Sequence, residues 1–277
     1  MREMKKYVIS LAILATLLTS CASEFNRVYT TTDNDYKYEF AKECFARGKF
    51  TQAITLLQEL VTIQKGTDNA QECLYMLAMA EYCDRDYESA SETFKKYYQT
   101  YPKGIYAEQA AFYIGQSLYQ STPEPRLDQT ATVNAISAYQ DFLDFFPESQ
   151  LKAKASSRMF ELTDKLVLKE YLSAKLYYNL GDYFGNCTNG GSNFEACIVT
   201  SENALKTYPF TTMREEFAVL IMKSKYELAR QSVEDKKIER YRDAEDECYG
   251  FINEYPESVE RKTAERYIKK CKEITKD

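Results

Sequence analysis

The sequence predicts an all-α fold, a solenoid of about five helix pairs with a C-terminal capping helix, on three observations. The first is repetition. Tyr38, Tyr75 and Phe112 fall in one register at an offset of 37 residues, and Phe45, Tyr82 and Tyr119 fall in a second. Phe40, Leu77 and Ile114 form a third register, with the small residues Ala41, Ala78 and Gly115 one step later. A fixed period of this length marks supersecondary units that bury their apolar faces only by stacking on neighbours. The second is composition: 24 Tyr and 15 Phe against 9 Gly, 6 Pro and no Trp favour helices packed through aromatic faces over strands and turns. The third is punctuation. Tyr101-Pro102, Phe146-Pro147, Tyr208-Pro209 and Tyr255-Pro256 each close a helix, with Pro 12 residues after a small residue of that helix. Proline ends helices because it lacks an N–H and restricts the residue before it.

Small and aromatic residues at these offsets are those of tetratricopeptide-type units. The first unit runs through residues 36–61, with Gly48 at its turn and Phe50, Ala53 and Leu57 in its second helix. The second repeats this with Tyr87, Ala90 and Phe94. The third starts in step, but Gly115 to Ala135 is 20 residues where the consensus needs 12, so a loop over 121–130 carries eight extra. The fourth has a long first helix, about Lys152 to Leu180, and a Gly- and Asn-rich interruption that includes 185–193. The fifth runs from about Met213 to Gln231, breaks over 232–237 and resumes near Tyr241. A charged last helix over 258–274 suits the open end of an array. The repeat domain is therefore placed at 36–277, with N-terminal repeats at 36–147 and C-terminal repeats at 148–277.

The N-terminus reads as an export signal. Arg2, Lys5 and Lys6 precede an apolar run from Tyr7 to Leu18, too short to remain as a membrane-spanning helix. Leu18-Thr19-Ser20-Cys21 resembles the bacterial lipobox, which implies cleavage after residue 20 and lipid attachment at Cys21. Residues 1–20 are thus the lipoprotein signal peptide, and polar residues 21–35 a flexible tether. Cleavage removes a net charge of +2 and takes the chain from −6 to −8, which excludes nucleic-acid binding through bulk charge. Ala22 follows the cysteine where the inner-membrane retention signal of enterobacterial lipoproteins has Asp, so the resemblance to lipoproteins implies the outer membrane.

Seven further cysteines are Cys44, Cys73, Cys83, Cys187, Cys197, Cys248 and Cys271. Export permits disulfides, and the pairs considered are Cys187 with Cys197, Cys44 with Cys83, and Cys248 with Cys271; the alternative is that most are small buried apolar residues. With no His and no CxxC, neither a metal site nor any cofactor is expected. The same absence removes His-dependent triads and imidazole bases, and no GxxxxGK phosphate loop occurs, so the chain is read as non-enzymatic.

When the units are numbered with Ala41, Ala78 and Gly115 at position 8, Tyr38, Phe45, Tyr75, Tyr82, Phe112 and Tyr119 occupy positions 5 and 12. These six are the candidate peptide-binding groove, since exposed aromatic faces stack on extended or helical segments. The competing expectation is that an aromatic stripe at helical spacing packs as core.

Together, lipobox, tether, five helical repeats with aromatic-Pro closures and a terminal helix resemble the BamD family, the lipoprotein component of the outer-membrane β-barrel assembly machine. The stretch KEYLSAKLYYNLGDYF, followed by ENALKTYP, is similar to the family's fourth-repeat segment. The resemblance covers roughly Thr32 to Ile274 and departs from the familiar pattern in its two expanded loops and its cysteines. It implies a periplasm-facing, lipid-anchored adaptor on the outer membrane. Its partners would be the barrel-forming BamA subunit, placed on the fourth and fifth repeats, and unfolded outer-membrane protein segments. Two other classes share helical repeats: lipoproteins that coordinate envelope synthesis or division, and nutrient-binding lipoproteins that serve an outer-membrane transporter. Size and the missing Trp argue against the last.

Overall fold

The computed structural model describes residues 24–183 and 192–276. The signal peptide, Cys21, Cys187 and most of the 185–193 interruption lie outside the described residues. Within them the chain is all-helical, and its helices pack in consecutive pairs as a tetratricopeptide-type solenoid does. Two compact units are present: one holds residues up to 122 together with 130–159, the other 123–129 and 160–277.

The first unit contains α1 (Asn34–Ala46), α2 (Phe50–Ile63), α3 (Ala70–Cys83), α4 (Tyr87–Thr100), α5 (Ala107–Ser121), α6 (Thr130–Phe145) and the start of α7 (Lys152–Leu180). Asp33 and Asp86 cap α1 and α4 by accepting hydrogen bonds from the backbone N–H groups of Tyr36 and Ser89. The α1–α2 turn is left-handed at Gly48 (φ +72°), and Lys49 N–H returns to Cys44 C=O at 2.8 Å. One repeat later the same turn is built on Arg85 (φ 67°), with Asp86 N–H reaching Glu81 C=O at 3.0 Å. A side chain is strained in this region, where glycine is not.

Ala41, Ala53, Ala78, Ala90 and Ala135 are completely buried. Their small size lets paired helices approach closely. At Gly115 there is no room even for a methyl group, because a Cβ there would stand 2.9 Å from the Tyr139 ring. Three of the four aromatic-Pro closures share one conformation. Tyr101, Tyr208 and Tyr255 have φ between −123° and −128° and ψ between 63° and 68°. Each donates its N–H to the carbonyl four residues back at 2.8 Å.

The 121–130 expansion is an eight-residue loop, 122–129. The buried Gln129 amide ties it together by donating to the carbonyls of Glu124 (2.7 Å) and Leu127 (3.2 Å). In the second unit, α7 continues, followed by α8 (Asn193–Thr207), α9 (Arg214–Arg230), α10 (Glu234–Glu254) and α11 (Arg261–Thr275). Tyr226 on α9 stacks on Tyr267 of the terminal helix at 3.8 Å with rings 3° from parallel. Ala264, Ile268 and Cys271 bury the same side of α11.

Three expectations need correction. Residues 24–29 form a helical turn rather than an aperiodic tether, because Val28 is fully buried against the first-repeat core and Phe25 packs beside it. The break after α9 is only 231–233. Helix resumes at Glu234, where Glu234 and Asp235 suit the positive end of the helix dipole. Cys44, Cys83, Cys248 and Cys271 are free thiols, as is Cys197. Cys44 is buried and donates to Gln52 Oε1 on α2, whereas Cys83 is exposed. Cys248 and Cys271 behave as buried apolar residues, with burial pushing their thiols up to about 12 and about 11.

Arg85→Gly relieves the left-handed strain and raises stability by about 1 kcal/mol in denaturant unfolding, with an unchanged slope. Gly115→Ala does the reverse: overpacking against Tyr139 outweighs the helix propensity gained, for a net loss of about 1 kcal/mol. In a Tyr139→Leu background the Gly115→Ala loss disappears, which a double-mutant cycle reads directly.

Candidate partner-binding surface

The repeat registers place the six candidate aromatics on α1, α3 and α5, and packing divides them. Tyr38 and Phe112 are only 3% and 1% exposed, so both are core residues and cannot line an open groove. Tyr38 sits among Ala53, Leu56, Leu57 and Leu60 of α2, and burial beside Glu72 holds its hydroxyl proton on. Phe112 packs its ring 5.8 Å from Tyr139 and 5.5 Å from Phe142. Close helix approach leaves these large rings nowhere to go but between the helices.

The other four are half-buried. Phe45 meets Phe50 across the first turn at 5.7 Å. Tyr75 stacks on Tyr106 at 4.3 Å and meets Phe94 and Tyr97 edge-on, and burial among these neighbours pushes its hydroxyl up to about 12. Tyr82 contacts Tyr87 and Tyr113. Tyr119 accepts a hydrogen bond from Arg158 at 2.8 Å. Tyr75 and Tyr82 thus belong to one aromatic cluster centred on Phe94 and Tyr97, Phe45 to the first-repeat core, and Tyr119 to an Arg158 contact. The structure does not bring the six together as one continuous surface.

An open apolar groove lies instead along α4, α5 and α6, with a volume of about 540 Å³. Tyr98, Ile114, Leu118, Phe142 and Phe145 supply its apolar walls, and Glu92, Lys95 and Asp141 its charged rim. Phe145 is 66% exposed and lies 6.3 Å from Tyr98. The periodicity drew attention to the first helix of each pair and passed over this groove. A signal was present: Phe145-Phe146-Pro147 doubles the closing aromatic, and only one of the two rings is needed for the closure.

In the second unit the segment 169–183 contributes Tyr171, Lys175, Tyr178 and Asn179 to a cleft of about 430 Å³, faced by Glu215, Glu216 and Val219 of α9. A Lys223–Glu260 ion pair at 2.8 Å closes one side, and Lys223 holds the Glu260 carboxyl below its ordinary range. Val259 is 92% exposed at its edge.

A family model described as outer membrane lipoprotein, YfiO, matches residues 31–190, more than half of the chain. The chain belongs to the BamD family. Two curated relatives agree. One is an outer membrane protein assembly factor BamD from Caulobacter vibrioides, 22% identical over 177 residues, covering 62% of this chain and 58% of the relative. The other is a putative outer membrane protein assembly factor BamD from Aquifex aeolicus, 26% identical over 136 residues, covering 49% of this chain and 43% of the relative. The chain thus spans about half the length of these curated relatives. The matched region contains the first unit from residue 31 onward, with its groove, and the fourth-repeat segment on α7.

The packing separates structural from surface aromatics. Tyr75→Ala costs about 3 kcal/mol of stability, as expected for truncating an aromatic in a packed cluster. Phe145→Ala changes stability by less than about 0.5 kcal/mol, as expected for an exposed position. Denaturant unfolding of both variants checks the contrast.

Proposed function

We propose that this chain is a non-enzymatic outer-membrane lipoprotein adaptor in the assembly of β-barrel outer-membrane proteins. The observation that carries this reading is the family match over 31–190, together with relatives named as outer membrane protein assembly factors. Cys21 is the lipid attachment site and holds the chain on the periplasmic face of the outer membrane. Acyl chains contribute about 0.8 kcal/mol per buried methylene, and no described helix is long and apolar enough to cross a membrane.

Unfolded barrel segments bind the first unit and the barrel-forming subunit binds the second. Two features support the division. The first unit offers the α4–α6 groove and the half-exposed Phe45, Tyr75, Tyr82 and Tyr119, which suit extended apolar and aromatic segments. The second unit carries the fourth-repeat segment in the wall of a cleft with charged sides, which suits a folded partner of fixed geometry.

Purification in mild detergent tests the adaptor role: an integral β-barrel protein accompanies the chain, and recovery of envelope-synthesis enzymes alone would refute it. For the client site, a Tyr98→Ala and Phe145→Ala double variant loses about 2 kcal/mol of affinity for barrel-derived peptides and keeps the barrel partner. A folded double variant that binds such peptides as tightly as the parent shows that clients bind elsewhere.

A further inference from the structure

The eight-residue insertion between α5 and α6 does more than lengthen a turn. Its Arg126 comes against α7, where it shares a cleft of about 490 Å³ with Lys169 and Lys175. Lys169, Leu172, Leu176 and Asn179 recur at helical spacing, so one face of α7 forms the opposite wall. Three cations line this cleft, and no Asp or Glu does. None of the three is within ion-pair distance of a carboxylate among the described residues, although the chain carries a net charge of −6. Lys175 also borders the neighbouring cleft that holds Glu215, Glu216 and Glu260, yet Glu260 is committed to Lys223.

Surplus cations gathered around one concavity repel each other and are stabilised by a bound anion. An Arg fork across from the Lys169 ammonium matches the several oxygens of a phosphate better than a single carboxylate does, while the Lys175 ammonium lies over the Tyr171 ring, 5.6 Å from its centroid, on the side of the neighbouring cleft. The cleft is larger than a bare phosphate, and Leu172 and the 57%-exposed Leu176 give the extra room an apolar lining. We propose that the cleft formed by the insertion and α7 binds a phosphate group, either as a lipid headgroup or as the free ion. This site is independent of the client groove and of the assembly reading.

Isothermal titration calorimetry on the full-length chain provides the test, with inorganic phosphate and dihexanoyl phosphatidylglycerol as separate ligands. Both bind in low salt, and affinity falls as sodium chloride is raised. Arg126→Gln or Lys169→Gln weakens binding about tenfold or more, as expected for loss of a charge-assisted hydrogen bond. Lys169→Arg, which keeps the charge, retains binding, and Lys103→Gln in the first unit leaves it unchanged. Equal affinity for the two ligands assigns the site to free phosphate. Tighter binding of the lipid that Leu176→Gln abolishes assigns it to a headgroup. The proposal is overturned if neither ligand binds, or if an Arg126→Gln and Lys169→Gln double variant, helical by circular dichroism, binds both as the parent does.

Discussion

Close approach of paired helices is the constraint on which the first unit depends. Alanines at 41, 53, 78, 90 and 135 have no exposed surface, and Gly115 leaves no room for even a methyl group beneath Tyr139. Where backbones come this near, any large side chain a turn away must lie flat between the helices or point outward. Phe94, Tyr97, Tyr139 and Phe142 take the first course and are fully buried. The aromatic richness of the chain follows from this, because flat rings fill thin interhelical gaps and meet edge-on or offset at 5 to 6 Å, as in the contacts around Phe112 and Phe94.

The same packing fixes where polar groups can be tolerated. Lys37 is 2% exposed, yet its ammonium reaches the part-exposed Glu59 carboxylate at 2.9 Å, so the charge leaves the core through its partner. Glu81 is also buried, and its carboxyl is held above the ordinary range by desolvation, with Thr93 as the opposing hydrogen bond. Charge on the second unit is arranged differently. Lys223 and Lys225 are matched to Glu260 and Glu247 at 2.8 and 2.6 Å, while Arg126 of the insertion and Lys169 of α7 are left to face a cleft. In an architecture of paired helices, grooves and inserted loops are the places where packing does not dictate the residue.

The sequence by itself determined the helices from α1 onward and their boundaries to within a few residues, because each depends on local chemistry, but it missed the helical turn over 24–29, which is held by Val28 in the core. Periodicity sets the buried face, Gly48 supplies a left-handed turn, and an aromatic before proline must leave the helix. It also determined the family, through motifs that need no coordinates. Only the tertiary structure decided which aromatics are surface. Tyr38, Tyr75 and Phe112 share one register, yet their exposure depends on what the neighbouring helix places opposite them: aliphatic residues of α2 around Tyr38, tyrosines around Tyr75, and Tyr139 with Phe142 beside Phe112. Only the tertiary structure brought Arg126 to Lys169 across more than forty positions of chain, since an insertion's length is legible in a sequence and its destination is not. Register is a property of one helix, whereas exposure and juxtaposition belong to the contact between elements, and no single segment encodes that contact.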